Sequence, residues 1–314
     1  MSLVRPRGSL AGPEPGDLVL LTPQAAGWSW TGLRVLALPA GVPRTVATAN
    51  SEVYVLPLSG GCRMQVATAA EPAVVEAEYD LVGRSSVFTR VTDVAYAGRD
   101  SLVTLTSDRA AEVALPSAVC ASRRPAAYRP AEDVPVEVRG AGPATRQVTS
   151  FGTPGGWDHA EKLVACELLT PPGNWSSYPP HKHDQTDPCP VVNEEIYYYR
   201  IAGADQVTPS DEGFGLHRTY TGPEHDKAGL DPIDLNVEVR DGDVVLVPHG
   251  YHGPCVAAPG YPMYYLNVLA GPARERSMAF CDDPSHAWLR SSWAGAALDP
   301  RVPMTSAAGL VGSS

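Results

Sequence analysis

Histidine is absent from the first 158 residues of the chain, and all eight histidines lie from His159 onward. The N-terminal half therefore cannot hold a histidine-based metal site. Basic residues are also scarce: 24 lysines and arginines stand against 35 acidic residues, the net charge is -11, and no basic stripe stands out. We therefore expect neither nucleic acid nor anionic membranes as partners. The 44% of hydrophobic residues is typical of a globular protein.

A C-x-x-C pair and a long apolar run are also missing. The six cysteines are scattered along the chain, as is typical of reduced cysteines without a redox or metal role. The apolar run near the N-terminus, residues 18–21, has four residues, which is too short for a signal segment or a membrane span. We therefore expect a cytoplasmic protein.

Glycine and proline are abundant, with 29 and 31 residues, and they recur about every ten residues. This spacing predicts many short strands and turns, and hence an all-β protein. The stretches "SEVYVLPLSGG" from Ser51 and "EEIYYYRIAGA" from Glu194 are similar at an offset of 143 residues, which pairs Glu52 with Glu195. The similarity suggests two copies of one β-rich module.

The second copy contains a candidate metal site. In a strand, His181 and His183 project to the same side, so both imidazoles can bind one ion. A carboxylate follows in "EEIYYYRI", where the repeat favours Glu195 and leaves Glu194 as the alternative. His252, just after a turn, is the third imidazole. Such a mixed nitrogen and oxygen set suits one divalent zinc, manganese, iron, cobalt or nickel ion and does not choose between them.

This arrangement resembles the two motifs of the cupin superfamily, H-x-H followed by Glu and Gly, then G-x5-P-x-G followed by His. The matching residues are His181, His183, Glu195, Gly203, Gly242, Pro248, Gly250 and His252. The sequence departs from the pattern in two places. Eleven residues separate His183 from Glu195, which predicts an inserted loop at the barrel mouth, and one residue separates Gly250 from His252.

More specifically, the chain is similar to the 5-deoxy-glucuronate isomerase family, bicupin enzymes of bacterial myo-inositol catabolism. The similarity is carried by "GRSSVFTRVTD", "SSYPPHKHD", "EEIYYYRI", "DVVLVPHGYH", "GYPMYYLNVLAGP" and "DPRVPM", in this order along the chain. It implies two jelly-roll barrels, a divalent metal and conversion of 5-deoxy-D-glucuronate to 5-dehydro-2-deoxy-D-gluconate. We expect a degenerate cupin domain over residues 1–145, a metal-binding cupin domain over 146–272, and a partly helical tail over 273–314 that packs on the barrels.

An aldose-ketose isomerase that acts on a sugar acid also needs polar groups around its substrate. We predict that Arg218 binds the substrate carboxylate and that Tyr199 and Tyr265 bind substrate or relay protons. The reaction is expected to pass through a metal-stabilised enediolate, with a hydride shift as the alternative. A uronate-type sugar acid is the expected small-molecule partner, and a homodimer could form through exposed sheet edges.

Other functions remain open at the level of the sequence. Another metal-dependent bicupin enzyme, either a 4-deoxy-5-keto-uronate isomerase or a dioxygenase, would use the same ligands. A non-catalytic sugar-binding cupin would bind its ligand without turnover.

Overall fold

The computed structural model describes residues 2–184, 186–189 and 191–311. Within these residues nearly all regular structure is β, which confirms the predicted all-β class. The strands of the N-terminal part are β1 Val4–Arg5, β2 Asp17–Leu21, β3 Thr31–Leu38, β4 Arg44–Ala47, β5 Ser51–Thr68, β6 Val75–Arg84, β7 Val94–Ala97, β8 Ser101–Thr106, β9 Ala111–Val119 and β10 Ala127–Arg129.

Strands β2 to β10 form one curved sheet, which we call the first module. Its main path is β10-β7-β5-β9-β3-β2, and β4, β6 and β8 attach through β5 and through one another. The long strand β5 runs through both parts, because its first half pairs with β7 and β9 and its second half with β6 and β8. The interior of this module is aliphatic: Val53, Val55 and Leu115 lie in its core cluster.

The remaining strands build most of the second module. They are β11 Val136–Arg139, β12 Arg146–Gly152, β13 Val164–Thr170, β14 Trp175–Ser176, β15 His181–Lys182, β16 Glu194–Ile201, β17 Gly215–Tyr220, β18 Asp234–Val239, β19 Val244–Val247, β20 Tyr251–Ala257, β21 Met263–Ala270, β22 Cys281–Asp282, β23 Thr305–Ser306 and β24 Gly309–Leu310.

Two sheets face each other in the second module. One has the order β1-β19-β16-β21-β13-β12-β11, and the other has the order β18-β17-β20-β15-β22, with β14 paired to β20. Their shared interior contains Tyr197, Tyr199 and Tyr265, as the alternation of "EEIYYYRI" predicts for the first two. The opposite face of β16 carries Ile196 and Tyr198, which pack in a second core together with residues of the first module.

Two glutamates fasten the modules to each other. Glu52 at the start of β5 accepts hydrogen bonds from the backbone N–H groups of residues 161–163, just before β13. Glu194 at the start of β16 accepts hydrogen bonds from the backbone N–H groups of residues 29–31, at the start of β3. Because the two contacts are reciprocal, Glu52 corresponds structurally to Glu194, at an offset of 142 instead of the predicted 143.

Helices are few and short: α1 Pro23–Ala26, α2 Pro223–Lys227 and α3 Leu289–Ser292, with 3-10 turns at Ala131–Asp133 and Gly142–Ala144. No helix in the described parts of the chain has the length and apolar character needed to cross a membrane. The helix α3 lies in the C-terminal tail, and β22 of the same tail pairs with β15. The predicted domain boundaries at residues 145 and 272 stay a proposal. Strands β1 and β11 precede residue 145 in the chain but are hydrogen-bonded into the sheet of the second module.

Candidate metal centre

A cavity of about 480 Å³ opens into the second module, lined by residues of both of its sheets and of the C-terminal tail. His183 and Glu195 line this cavity, and His252 lies against them. One nitrogen from each histidine and one carboxylate oxygen of Glu195 all lie within 4.8 Å of one another, and all three residues are buried. The structure therefore brings together three of the four predicted metal ligands.

The local hydrogen bonding of the long loop explains how His183 reaches Glu195. A β-bridge joins Asp184 to Val192, and the backbone N–H of Asn193 donates to the carbonyl of His183 at 2.9 Å. This pairing closes the predicted insertion at its base, so the two ligands become neighbours in space although eleven residues separate them. Gln185 and Pro190, which are part of the insertion, lie outside the described residues.

Each of the three histidines points its Nδ1 at a backbone carbonyl. His181 faces Pro179 at 3.0 Å, His183 faces Asn193 at 3.0 Å, and His252 faces the carbonyl two residues before it at 3.4 Å. A carbonyl can only accept, so Nδ1 carries the proton and Nε2 keeps its lone pair. This is the arrangement that typically orients a metal-binding histidine.

The charge of Glu195 completes the fit to a cation. Burial alone would raise the pKa of Glu195, but the adjacent His252 and His183 outweigh it and lower that pKa, so the carboxylate is ionised. Its Oε2 lies 2.9 Å from Nε2 of His183 and 3.0 Å from Nε2 of His252, and the latter nitrogen is buried and makes no hydrogen bond with a described residue. The residues present fit a divalent metal.

Nε2 of His183 and Oε2 of Glu195 lie 2.9 Å apart, and each of these atoms presents a lone pair to the other. A proton or a cation between them is therefore needed to make the contact favourable. A proton supplies the positive charge when no metal is bound. Burial lowers the pKa of His183, but its hydrogen bond and attraction to Glu195 outweigh burial and raise the pKa. A divalent cation supplies the charge more directly, since neutral imidazole and carboxylate are both ordinary ligands.

His181 lies beside this group. It pairs across β15 and β20 with His252, and the two ring centres are 4.5 Å apart. Burial and the neighbouring His252 hold the pKa of His181 well below its ordinary value, so the ring is neutral and its Nε2 can bind a cation. Its predicted role as a fourth ligand stays a proposal that this position supports.

Glu194 is occupied elsewhere. Its carboxylate binds the N–H groups of residues 29–31 and the hydroxyl of Thr31. Glu195 is the next residue along β16 and therefore points to the opposite face, into the cavity. The carboxylate of the buried group thus comes from Glu195, the residue favoured by the sequence.

The two predicted catalytic tyrosines lie in the barrel interior, behind the cavity wall. The hydroxyl of Tyr199 binds Nδ1 of His217 at 2.6 Å, and the hydroxyl of Tyr265 lies 2.9 Å from Oγ of Ser177. Burial raises the pKa of both tyrosines well above the ordinary value, so both are neutral phenols. Neither is part of the cavity lining.

Tyr197 and Ser177 line the cavity instead, and their oxygens are 3.2 Å apart. Sequence alternation already placed Tyr197 on the same face as Glu195, so its contribution could have been inferred. His217 also lies in the interior of the module, where burial is the main cause that lowers its pKa to about 3. His217 is therefore a neutral hydrogen-bonding partner of Tyr199.

Arg218 is not in this cavity. On β17 its neighbours His217 and Thr219 are buried, so alternation turns Arg218 to the outside, where its guanidinium lies 4.5 Å from the ring centre of Tyr220. It lines a separate groove on the outer surface. The predicted role of Arg218 as the carboxylate-binding residue is not supported by this position. Two cavity residues that the sequence did not single out are Arg146 and Asn267.

Comparison with known proteins assigns the chain to a family. Residues 7–289 match the KduI/IolB family. This chain belongs to the KduI/IolB family. The 5-deoxy-glucuronate isomerase of Geobacillus thermodenitrificans is 36% identical over 282 residues, which cover 89% of this chain and 93% of that protein. The 5-deoxy-glucuronate isomerase of Bacillus subtilis is 33% identical over 264 residues, 83% of this chain and 88% of that protein.

Solved structures show the same fold. An IolB-like protein from Salmonella typhimurium superimposes with a TM-score of 0.76 and 29% identity, over 92% of this chain and 100% of that chain. The oxalate decarboxylase of Lactobacillus farciminis has a TM-score of 0.59 at 12% identity, over 88% of each chain, and shows the fold alone. The predicted cupin-type fold and family are confirmed, and the names of the KduI/IolB relatives support isomerase activity.

Proposed function

We propose that this KduI/IolB protein is a 5-deoxy-glucuronate isomerase of myo-inositol catabolism, which converts 5-deoxy-D-glucuronate to 5-dehydro-2-deoxy-D-gluconate. The observation that carries the proposal is the buried group of His183, Glu195 and His252 at a cavity of substrate size. The relatives named for this activity match 89% of the chain, and the family match over residues 7–289 includes the segments that form the group. The partner is accordingly a small uronate-type sugar acid.

His183, Glu195 and His252, with His181 as the fourth ligand, would hold one divalent metal ion. Bound there, the ion would act as a Lewis acid that polarises the substrate carbonyl and stabilises the negative charge that develops on oxygen. The chain contributes an ionised carboxylate and imidazoles whose Nδ1 atoms face backbone carbonyls, and His183 would give up the proton that it shares with Glu195 when the ion binds. Little reorganisation is needed when substrate arrives.

The other cavity residues orient the substrate. Tyr197 stays a neutral phenol because burial raises its pKa well above the ordinary value, so it can share a hydrogen bond but cannot act as a base near neutral pH. Ser177 links Tyr197 to Tyr265, which fixes the hydroxyls at the cavity wall. Asn267 presents a buried side-chain nitrogen that has no partner in the described parts of the chain, a donor suited to a sugar hydroxyl.

The reaction moves one hydrogen between adjacent carbons, so the aldehyde carbon gains a hydrogen and the neighbouring hydroxyl-bearing carbon becomes a ketone. We propose the enediolate route, in which a base removes the hydrogen as a proton. Turnover in D₂O distinguishes it from a hydride shift. The enediolate route incorporates solvent deuterium at the former aldehyde carbon, whereas a hydride shift leaves that carbon free of solvent label.

The direct test incubates the protein, separately loaded with zinc, manganese, iron, cobalt or nickel, with 5-deoxy-D-glucuronate and follows formation of the keto product. We expect turnover with at least one metal and no consumption of oxygen. Folded protein that forms no product with any of these metals contradicts the proposal. Oxygen uptake would point to a dioxygenase, and exclusive turnover of 4-deoxy-5-keto-uronate to the related isomerase.

His183→Ala tests the location of the site. The variant should lose metal on dialysis and lose turnover, because it removes the ligand that faces Glu195. Metal content measured on the dialysed protein separates loss of the ion from loss of chemistry alone. Full metal retention and activity in this variant would show that the centre lies elsewhere.

A further inference from the structure

Arg146 is one of two arginines that are buried among the described residues, the other being Arg84. The two differ in their partners. The guanidinium of Arg84 forms a buried ion pair with Glu167. Arg146 has no acidic partner within 4.0 Å in the part of the chain that the structure describes. Since a buried charge without a counter-charge is costly, the position of Arg146 calls for an anion that the chain does not supply.

The hydrogen bonds of Arg146 leave much of its guanidinium free. Its one hydrogen bond from the side chain goes from Nη1 to the carbonyl of Ala144 at 3.2 Å. Its Nε is buried and makes no hydrogen bond with any described residue. A guanidinium offers five N–H donors in a planar fork, which suits a carboxylate. The free donors belong to a side chain that lines the cavity of Glu195.

The surroundings of Arg146 are cationic and aromatic. Arg139 lies opposite it in the β11–β12 pair, and Arg290 approaches from the C-terminal tail. The ring centre of Trp293 lies 5.9 Å from the guanidinium carbon of Arg146 and 5.8 Å from that of Arg290. Arg139 and Arg290 are each paired with a carboxylate of their own, Glu137 and Asp282, so Arg146 carries the uncompensated charge.

The positive charge of Arg146 makes its end of the cavity favourable for an anion. Burial is the main cause that lowers the pKa of Arg146 to about 10, and Arg139 and Arg290 add to it, so the group is still charged at neutral pH. Among the described lining residues Glu195 is the one carboxylate, and it belongs to the metal group. The cavity is therefore divided between a cation-binding group and an anion-binding arginine.

The backbone also makes room for this side chain. Gly140 has a φ of +79°, and a Cβ there would lie 2.1 Å from the carbonyl oxygen of Ala144 and 2.6 Å from Nη1 of Arg146. Any other residue at position 140 would displace the guanidinium. Asn267, on β21, presents its unpartnered Nδ2 to the same cavity. Two buried donors that have no hydrogen-bond partner among the described residues therefore line one space.

We propose that Arg146 binds the carboxylate of a sugar-acid substrate and thereby turns the opposite, aldehyde-bearing end of the sugar towards His183, Glu195 and His252. The inference rests on the proposed function for the identity of the sugar, but the anion-binding role rests on Arg146 itself. It replaces Arg218 in the role that the sequence assigned to that residue. Arg146 is a specificity-determining residue, since it would reject neutral sugars of the same shape.

The first test needs no variant. Isothermal titration of the metal-loaded protein with D-glucuronate and with the methyl ester of D-glucuronate compares an anion with its neutral counterpart. We expect the anion to bind at least about 30-fold more tightly, as for a buried, hydrogen-bonded charge pair. Equal binding of the two compounds, or no binding of glucuronate, overturns the proposal.

The second test compares Arg146→Gln and Arg146→Lys with the control Arg240→Gln, which changes an exposed arginine of the same module. Arg146→Gln should bring the two affinities to within about threefold of each other. Arg146→Lys should recover part of the preference, because lysine keeps the charge but loses the fork. Arg240→Gln should keep the full preference, and thermal melting verifies that each variant is folded. A folded Arg146→Gln that still prefers glucuronate contradicts the role.

These outcomes separate the inference from the proposed function. If the protein does not isomerise 5-deoxy-D-glucuronate but shows an Arg146-dependent preference for glucuronate, the function fails and the anion site stands. If it isomerises 5-deoxy-D-glucuronate and Arg146→Gln leaves kcat/KM and the glucuronate preference unchanged, the function stands and the anion site fails.

Discussion

Glu52 and Glu194 make the same contact in opposite directions, and the residue after each of them differs. Glu52 is followed by Val53, in the aliphatic core of the first module. Glu194 is followed by Glu195, in the buried group of the second module. The paired strands match as well, since Val53 lies opposite Ala97 on β7 and Glu195 opposite Val247 on β19. The same strand arrangement thus holds a packed aliphatic core in the first module and the buried group of His183, Glu195 and His252 in the second.

The next inward positions on β5 and β16 differ in the same way, apolar in the first module and polar in the second. Val55 and Pro57 of the first module correspond to Tyr197 and Tyr199 of the second. The first module fills its interior with aliphatic side chains, whereas the second places hydroxyl groups that need partners, which Ser177 and His217 supply. A glutamate that joins the modules is present in both of them, so the contact between the modules is the same whether the next residue lies in a packed core or in the buried group.

The largest effect should come from making the second module resemble the first, with Glu195→Val. The variant removes the ionised carboxylate next to His183 and His252, so metal affinity should fall by at least about 100-fold, the upper end of what loss of a supporting partner alone costs. Metal titration and metal analysis after dialysis measure the change, and turnover should disappear with the ion.

Val53→Thr is the matched control, because it changes the corresponding position of the first module. It should leave metal affinity and kcat/KM unchanged within about twofold. If Val53→Thr lost metal as Glu195→Val does, the effect would come from general destabilisation of the barrels and not from a ligand.

The second comparison exchanges the two fastening glutamates, one at a time, for glutamine. Each carboxylate accepts three backbone N–H bonds, and a glutamine amide cannot accept all of them. Glu52→Gln and Glu194→Gln should each reduce the free energy of unfolding by about 2–3 kcal/mol. Urea unfolding measures the loss. Metal affinity should persist in both variants, and selective loss of metal in Glu194→Gln would restore Glu194 as the ligand.

The sequence allowed the fold and the residues of the buried group of His183, Glu195 and His252 to be predicted, because H-x-H spacing, strand alternation and the glycine and proline turns are local. Glu195, which the sequence favoured, lies in the buried group with His183 and His252, although the repeat was aligned one residue out. Matching Tyr54 to Tyr197 set the offset at 143, but the hydrogen bonds of Glu52 and Glu194 give 142. Alternation places Glu195, Tyr197 and Tyr199 on one face of β16 in either alignment, but the inward face follows from the sheet packing, because the offset of 142 pairs Glu52 with Glu194.

The roles at the cavity wall could not be obtained in the same way. Alternation shows that His217 and Arg218 lie on opposite faces of β17, but it does not show which face is inward. No local sequence pattern marks Arg146 either. Its surroundings are formed by residues distant in the chain, such as Trp293 of the tail. Such features follow from tertiary packing, and only the structure shows them.

Asp184→Asn should have a smaller effect on stability. Asp184 directly follows His183 and joins the H-x-H segment to other parts of the second module through hydrogen bonds. Asp184 accepts from the backbone N–H of Gly250 and from Nε2 of His225, both at 2.7 Å, and from Thr186. Losing part of this network should reduce the stability of the metal-free protein by about 1–2 kcal/mol. Thermal melting of dialysed protein measures it, and melting temperatures equal to those of the unaltered protein would contradict the assignment.

The same carboxylate predicts a pH dependence. Burial would raise the pKa of Asp184, but hydrogen bonds from Thr186, Gly250 and His225 outweigh it and lower the pKa to about 2. A lowered folded-state pKa stabilises the protein above the ordinary value of 3.8 and loses this effect as pH falls towards 2. The stability gap between the unaltered protein and Asp184→Asn should therefore be constant above about pH 5 and shrink below about pH 4. A gap that widens on acidification would contradict this sign.

The smallest effect is expected for Tyr199→Phe, which makes one inward position of the second module apolar, as Pro57 already is in the first. The change removes the hydrogen bond from the Tyr199 hydroxyl to Nδ1 of His217, leaves that nitrogen only the weaker thiol of Cys255 at 3.5 Å, and should cost about 1 kcal/mol of stability. Because Tyr199 lies behind the cavity wall, kcat/KM should stay within about threefold of the unaltered enzyme. Steady-state kinetics decide the point: a loss of 100-fold or more would make Tyr199 part of the chemistry, and the interior of the second module would then act in proton transfer as well as in packing.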